Sequence, residues 1–413
     1  MKIKFLILIL AAAFLVLFLR RPDAILHPQF WAEDGRIWFA DAYNFGGFKS
    51  LFLSQAGYFH TLPRITALIS LPFPISKSPL VFNVIALLVQ ILPVLLIFSG
   101  RLNKIIPQFS TRVLLALLYV LLPNTAEVHG NISNAIWFLS LAAFLVLVAE
   151  ESGRKFWNYF DNIILVLAGL SGPFSIFLSP VAFLLWYRER NKRNLRNLVL
   201  IASTAALQLL GIFFLNNGGR ARIFPEDLTA KLIFAILGRQ VIWGSLIGVN
   251  GYSWVLHTIP WYFWFFAITT SLALLPVIYA IIRSPLQLKL FLLFGGLVFA
   301  ASLLSPTVHS NGYAPLKHLS LSDAGMRYWL IPMCVFLATL VWNLGKTRPR
   351  FIKVLSGIFL ATIIFGAIVD FKHPRFIDYQ FSDQIQKFRR LPVGQQITIR
   401  INPRGWDLVL IKK

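Results

Sequence analysis

The chain has 413 residues, of which 57% are apolar or aromatic and only 13% are charged. Because about a quarter of the residues in a soluble domain are charged, this composition excludes an ordinary soluble protein. The 39 Lys and Arg residues outnumber the 16 Asp and Glu residues, which gives a net charge of +23. In a membrane protein such an excess reflects basic cytoplasmic loops and contacts with lipid phosphates, and we expect no nucleic-acid partner.

The first element, MKIKFLILILAAAFLVLFLRRPD, has a basic start and a long apolar stretch. No small-x-small cleavage site precedes RRPD, so we predict an uncleaved first helix rather than a removed signal peptide. The later apolar runs do not alternate with polar residues, as strands of a membrane barrel would. The sequence predicts an all-α polytopic membrane protein with about eleven transmembrane helices. They are expected at residues 3–19, 80–99, 111–123, 132–149, 158–170, 174–187, 198–215, 260–282, 287–304, 328–344 and 352–369.

The segment TLPRITALISLPFP (61–74) is apolar but too short and too rich in proline to span a bilayer. We interpret it as a re-entrant half-helix, which is tolerated where protein or a cavity covers it. With this half-helix, Lys and Arg fall in the inner loops, whereas the outer turns PNTAEVHGN and SGP contain neither residue. The predicted location is a bacterial inner membrane, with the N-terminus in the cytoplasm and loop 22–79 outside.

The last segment differs from the rest of the chain. Residues 1–369 are predicted to form the transmembrane domain, and residues 370–413 a small cap on the outer face. In the cap, Ile397, Ile399 and Ile401 alternate with polar residues, and NPRG precedes WDLVLI. This pattern predicts a small β-hairpin. The single cysteine, Cys334, excludes an internal disulfide.

The stretch HPQFWAEDGRIWFADAY in the first outer loop gathers Glu33, Asp34 and Asp41. An acidic side chain at membrane level is costly unless it is hydrated, paired or used. A carboxylate at the edge of the bilayer is suited to act as a general base. The structural alternative is that Asp34 caps a helix that starts at Gly35. We assign Asp41 a structural role.

The stretch GYFHTLPR places Tyr58, His60 and Arg64 at the mouth of the half-helix. Helix N-termini favour anions, and Arg or His side chains add charge-assisted hydrogen bonds to a phosphate. These residues are therefore candidate phosphate ligands. An Arg that extends to the lipid headgroups explains the pattern equally well.

Two later segments contribute further candidates. In PNTAEVHGN, Glu127 and His129 offer oxygen and imidazole ligands that could bind a divalent cation together with the acids of the first outer loop, although no fixed metal spacing accompanies them. The stretch that ends in GMRYW carries Lys317 and Arg327. Because an Arg that enters the membrane is expensive unless it faces a cavity or an anion, Arg327 is a candidate ligand of a lipid phosphate. Its structural alternative is an interfacial position beside Tyr328.

The sequence resembles the GT-C superfamily of integral-membrane glycosyltransferases. The resemblance lies in the first helix, the acidic first loop, the re-entrant half-helix and the many spans that follow. The segments that carry it are WAEDG, GYFHTLPR, AEVHGN and GMRYW. The resemblance is closest to bacterial polytopic members and is architectural more than motif-tight. It implies transfer of a sugar from a polyprenyl-phosphate donor to a glycan, lipid or protein acceptor on the outer face. It also implies that Asp34, or its neighbour Glu33, acts as the base. Arg64, Arg327 and Lys317 would hold the donor phosphate, and some members use a divalent cation such as Mg²⁺ or Mn²⁺.

Two other functions stay open. An O-antigen polymerase or ligase is also polytopic and acts on lipid-linked sugars. Enzymes of that kind look dependent on Arg and His residues and have a large outer loop late in the chain. A flippase or transporter of lipid-linked sugars often shows paired halves. We find no such symmetry in this sequence.

Overall fold

The computed structural model describes residues 3–215, 225–306, 312–345 and 349–413. Helices dominate these ranges. Those of the first half are α1 (Ile3–Arg20), α2 (Asp23–Leu26), α3 (Ala40–Phe45), α4 (Gly47–Ser50), α5 (Thr61–Ser70), α6 (Ser78–Phe98), α7 (Phe109–Val120), α8 (Ile132–Val148), α9 (Lys155–Gly169), α10 (Phe174–Glu189) and α11 (Lys192–Phe214).

The second half of the described chain contains shorter helices between long ones, and the only two strands among the described residues. These elements are α12 (Ala230–Ile236), α13 (Gly244–Leu246), α14 (Gly248–Thr258), α15 (Tyr262–Arg283), α16 (Leu286–Leu304), α17 (Pro315–Leu321), α18 (Leu330–Asn343), α19 (Arg350–Val369), α20 (Phe381–Arg389), β1 (Gln396–Ile401) and β2 (Trp406–Ile411). Two π-helical segments, π1 (Asp34–Phe39) and π2 (Leu237–Trp243), interrupt the α-helical pattern.

Each of the eleven predicted spans corresponds to a helix, but the number of spans is not confirmed. Among the described residues, seven helices are long and apolar enough to cross a membrane, or eight if the bent pair Ala230–Leu246 and Gly248–Thr258 is one span. The four other predicted spans correspond to α7, α8, α9 and α10, which have 12, 17, 15 and 16 residues. Helices of this length cover less than the ~30 Å of a bilayer core. The long apolar helices are typical of an integral membrane protein.

The predicted half-helix is a short helix in the structure. α5 has 10 residues and ends at Ser70, and a single turn of 3₁₀-helix at Ile75–Lys77 leads into α6. The chain forms two compact units. The first consists of Met1–Leu96, Val128–Arg220 and Pro374–Lys413, and the second of Ile97–Glu127 and Ala221–His373. From Pro374 onward the chain belongs to the first unit. The predicted division into residues 1–369 and 370–413 stays a prediction.

Aromatic side chains form the centre of the first unit. The fully buried ring of Phe30 lies 5.1 Å from Phe39, 5.2 Å from Phe82 and 5.5 Å from Phe381, measured between centroids. The contacts with Phe82 and Phe381 are edge to face, a geometry that is favourable beyond the burial of apolar area. Phe30 thereby joins the acidic segment, which is the stretch HPQFWAEDGRIWFADAY, to α6 and to the C-terminal helix α20.

The predicted hairpin is confirmed. β1 and β2 pair antiparallel, with Ile397 opposite Leu410 and Ile399 opposite Leu408. Ile399 and Ile401 are buried while Thr398 and Arg400 are exposed, as the period of two in the sequence predicts. α20, which packs its buried Phe381, Ile385 and Phe388 against the unit, has no counterpart among the sequence predictions.

The second unit is built around α18, whose surface is mostly buried. α18 packs against α15, α16 and α19. Gly295 on α16 permits a close approach, because a Cβ atom there would lie 2.7 Å from a methyl group of Val335. The carboxylate of Asp370 accepts hydrogen bonds from the backbone N–H groups of Val249 and Asn250 and so caps the start of α14.

Candidate functional site

The carboxylate of Asp34 is fully buried at the N-terminus of α8. Its Oδ2 accepts a hydrogen bond from the Ile132 backbone N–H at 3.0 Å, and its Oδ1 accepts one from the Ser133 backbone N–H at 2.9 Å. The Ser133 hydroxyl donates a third hydrogen bond to Oδ1. Asn131 accepts from the next N–H group, that of Asn134. The first free N–H groups of α8 are thus satisfied by two side chains.

This geometry changes the interpretation of Asp34. The sequence suggested a cap for the helix that Asp34 itself begins, whereas the carboxylate caps α8, about a hundred residues further along the chain. Both oxygens are occupied, and the side chain has no exposed surface. In this conformation the carboxylate of Asp34 is not open to solvent, and its contacts fix the position of the acidic segment.

The electrostatic environment of Asp34 opposes its negative charge. Burial raises the pKa of this carboxyl to about 7, the hydrogen bonds from Ser133 and Ile132 lower it, and the neighbouring charge of Glu33 raises it further. Desolvation outweighs the three donors because a buried anion loses all of its hydration. Asp34 therefore titrates near neutral pH.

Glu33 differs from its neighbour in accessibility, since its side chain is partly exposed. Ala32, just before it, has a φ of +45°, which is costly for a residue with a Cβ atom. This conformation is held from both sides. The Ala32 N–H donates to the Asn402 carbonyl, and the Asn402 N–H donates to the Phe30 carbonyl. The C-terminal hairpin thus holds the backbone that presents Glu33.

Trp38, in π1, connects the acidic segment to the half-helix. Its indole N–H donates to the Ser133 hydroxyl at 2.9 Å, and that hydroxyl donates to Asp34. The His60 ring lies 4.8 Å from the Trp38 ring, and the Arg64 guanidinium lies 5.0 Å from it. The structure therefore gathers three of the sequence-predicted residues, Asp34, His60 and Arg64, around a tryptophan and a serine that sequence reasoning did not assign to the site.

Arg64 does not have the free guanidinium that a phosphate ligand needs. Its Nη1 pairs with Asp41 at 2.9 Å, its Nε donates to the Leu53 carbonyl, and the side chain is 1% exposed. The structural role expected for Asp41 is this ion pair. The N-terminus of α5 is occupied as well, because the Thr61 and Leu62 N–H groups donate to Leu170 and Ser171. The predicted anion site at the start of the half-helix is therefore filled by the protein itself.

His60 and Tyr58 form the polar edge of this cluster. Their rings meet edge to face at 6.1 Å, and both side chains are partly exposed. Burial and the nearby charge of Arg64 lower the pKa of His60 to about 4. The imidazole is neutral at physiological pH, so His60 is a hydrogen-bonding group there rather than a cation.

The other predicted phosphate ligands lie in the second unit. The guanidinium of Arg327 pairs with the Glu127 carboxylate, its backbone N–H donates to the same carboxylate, and it lies 4.7 Å from the Tyr328 ring. The side chain keeps 26% of its surface exposed, so Arg327 is both paired and accessible. Lys317 is exposed, with Nζ 5.9 Å from the Tyr313 ring.

Both predicted metal ligands have partners within the protein. Glu127 is paired with Arg327 in the second unit, and His129 is fully buried in the first unit, with Nδ1 3.3 Å from the Gln90 amide. Burial and the charges of Arg20 and Arg21 lower the pKa of His129 well below its usual value. Within the described ranges, no group of three or more His, Cys, Asp or Glu side chains is arranged to hold a metal ion. The use of Mg²⁺ or Mn²⁺ stays a prediction.

Known proteins give no further direction. Compared with models of protein families, with curated proteins and with solved structures, the chain matches none of them. The function therefore has to be inferred from the residues and their geometry.

Proposed function

We propose that the protein is a glycosyltransferase of the GT-C type, which transfers a sugar from a polyprenyl-phosphate donor to a hydroxyl acceptor on the outer face of the membrane. The observation that carries the proposal is the Trp38 cluster, which consists of Trp38, Ser133, Asp34, His60 and Arg64. This cluster connects the acidic segment, the short helix α5 and the N-terminus of α8 within one compact unit. The cluster fixes this backbone while leaving the Glu33 side chain partly exposed.

The proposed roles of the two acids follow from their accessibility. Glu33 is the general base, and Asp34 positions it by tying the acidic segment to α8. Glu33 removes the proton of the acceptor hydroxyl, whose oxygen attacks the anomeric carbon of the donor. The bond between that carbon and the phosphate oxygen breaks, and the phosphate leaves with the electron pair. The configuration at the anomeric carbon is inverted.

The departing phosphate needs positive charge, because it leaves as an anion. Arg327 and Lys317, which the sequence offers for this role, both keep exposed surface within the second unit. Arg327 is paired with Glu127. Arg64 is not included, because its guanidinium is buried against Asp41. His60 and Tyr58 contribute neutral polar groups near the acidic segment.

Transfer by purified protein in lipid nanodiscs tests the proposal, with radiolabelled polyprenyl-phosphate sugars as donors and extracted membrane glycans and lipids as acceptors. We expect Glu33→Gln to lower kcat by a factor of about 10² to 10⁴, as loss of a general base does. Glu151→Gln, at an exposed glutamate of the same unit, is the matched control and should leave transfer unchanged.

The result that would overturn the base assignment is full transfer by Glu33→Gln. Absence of transfer from every donor by wild-type protein would remove the enzyme proposal itself. If flux of the lipid-linked sugar across proteoliposomes then appears without transfer, the protein is a transporter.

A further inference from the structure

A small cavity in the second unit is lined by residues that have no part in the proposed function. Its volume is about 10 Å³, in a recess with about 200 Å³ of empty space that includes open solvent. Its lining residues are Asn124, Arg239, Gln240, Gly244, Gly248, Val249, Tyr252 and Asp323. A space of this volume holds one water-sized group. The cavity therefore has room for a single hydroxyl or water oxygen.

The wall of the cavity is built by π2. Gln240 donates from Nε2 to the carbonyls of Leu319 at 2.7 Å and Ser322 at 2.8 Å. Arg239 donates from Nη1 to the Ser320 carbonyl and from Nη2 to Asp323, at 3.0 and 3.2 Å. These bonds hold the polar side chains of π2 in fixed positions. π-helical turns of this kind often occur at functional sites.

The Asn124 side chain carries a buried hydrogen-bond acceptor that a ligand could satisfy. It is 3% exposed, its backbone has a φ of +55°, and its Nδ2 donates to the Gln240 carbonyl at 3.3 Å. Its Oδ1 is buried and has no hydrogen-bond partner among the residues that the structure describes. Leaving a buried acceptor unsatisfied is costly, so a donor at this position would be bound favourably.

The charge of the cavity favours a neutral ligand over a phosphate. The Arg239 cation is already paired with the Asp323 carboxylate, which is 49% exposed at the rim. A hydroxyl group matches this wall, because it can donate to Asn124 Oδ1 and accept from a guanidinium N–H. A second hydroxyl on the adjacent carbon can then donate to the exposed carboxylate of Asp323. Adjacent hydroxyls of this kind are the defining feature of carbohydrates.

We propose that this cavity is a carbohydrate subsite, in which one sugar hydroxyl enters to bind Asn124 and Arg239 and its neighbour binds Asp323. The inference deepens the proposed function and rests on it for the sugar as substrate. The ring of Tyr252, which also lines the cavity, lies 4.9 Å from the Arg239 guanidinium and stacks on Phe266 at 4.4 Å. The sugar is therefore recognised by hydrogen bonds to its hydroxyls and not by stacking on this ring.

Binding of free sugars, measured without any transfer, tests the subsite. The probes are the methyl glycosides of glucose, galactose, mannose and N-acetylglucosamine. Saturation-transfer NMR is carried out on protein in lipid nanodiscs, which contain no sugar detergent. We expect millimolar binding of at least one probe and a loss of about tenfold in affinity in Asn124→Gly, because glycine accepts the positive φ but removes the acceptor. Asp323→Ala should weaken the same probe severalfold.

Glu226→Ala, at an exposed acid of the same unit, is the control and should bind like wild type. Because Asp323 is half exposed, its variant remains informative if Asn124→Gly does not fold. The proposal is overturned if no probe binds, if both variants bind like wild type, or if inorganic phosphate competes with the sugar. If no probe binds, the cavity holds an ordered water only. Binding that persists in Glu33→Gln separates this subsite from the catalytic proposal.

Discussion

Ser133 forms hydrogen bonds with two residues of the candidate site, Asp34 and Trp38. Its backbone N–H and its hydroxyl both donate to Asp34, and its hydroxyl accepts the indole hydrogen bond of Trp38. A hydroxyl suits this position because it donates and accepts at the same time. The same residue therefore carries the contact between the acidic segment and the start of α8.

We predict that Ser133→Ala destabilises the protein by about 1–3 kcal/mol, because it leaves the Trp38 N–H unsatisfied and removes a donor from a buried carboxylate. The measurement is the melting temperature in one lipid or detergent system. Ser140→Ala is the matched control, since Ser140 lies on the same helix, is fully buried and donates only to the Trp137 carbonyl of its own helix. Equal shifts for the two variants would contradict the role given to Ser133.

Asp34 should make stability depend on pH. Its pKa is about 7 in the fold and 3.8 in a free carboxyl group. The folded state therefore holds the proton more tightly, so this contribution to stability is complete below about pH 4 and is lost as the pH rises through 7. The slope is at most about 1.4 kcal/mol per pH unit. We expect wild type to lose melting temperature between pH 5 and pH 8 relative to Asp34→Asn.

The comparison with Asp34→Asn isolates this effect from His60, which acts in the opposite direction. The pKa of His60 falls from 6.5 to about 4 on folding, so its contribution is lost as the pH falls through that window. Both proteins retain His60, so its contribution cancels in the difference. Parallel melting curves for the two proteins from pH 5 to pH 8 would show that Asp34 does not titrate there.

At the scale of elements, the sequence predicts regular structure well and the two π-helices not at all. Apolar runs predict the positions of eleven helices, and alternation at Ile397, Ile399 and Ile401 predicts β1. π1 and π2 carry no such pattern, because a π-turn is stabilised by contacts with distant segments. The partners that define the site are also remote. Arg64 pairs with Asp41 across 23 positions, and Ser133 bonds Asp34 across 99.

The packing of π1 against the hairpin depends on a glycine. A Cβ atom on Gly35 would lie 2.8 Å from Ile401 Cδ1 and 3.0 Å from Phe30 Cβ. We expect Gly35→Ala to destabilise the protein by about 1–3 kcal/mol, because it forces the hairpin away from the acidic segment. The melting temperature provides the measurement, and Gly153→Ala, which meets nothing within 4 Å, is the control.

A second substitution shows whether the clash is the cause. Ile401→Val removes the Cδ1 atom that the new methyl group would meet, so the double variant Gly35→Ala/Ile401→Val should lose less than the sum of the single variants. The rescue is expected to be partial, since Phe30 Cβ stays in place. Strictly additive losses would mean that the hairpin is not what excludes a side chain from this position.

At the scale of the whole molecule, the contacts at the two ends of α8 indicate the topology of the first unit. Its 17 residues extend about 25 Å. At its N-terminal end lie Asp34 and, through the contact of Gly35 with Ile401, the hairpin. At its C-terminal end, the Arg193 guanidinium donates to the carbonyls of Val146 and Ala149. Arg193 belongs to the basic stretch RERNKRNLR, which the positive-inside bias assigns to the cytoplasm.

We therefore predict that the hairpin faces outward and that the turn between α8 and α9 faces the cytoplasm. Single cysteines introduced as Arg404→Cys and Gly153→Cys, both at exposed positions, test this in a Cys334→Ala background. In intact cells, a membrane-impermeant maleimide should label the first variant, and it should label the second only after permeabilisation. Labelling of both in intact cells would refute the separation across α8. The reverse pattern would invert the chain and put the acidic segment in the cytoplasm, where the proposed transfer on the outer face is impossible.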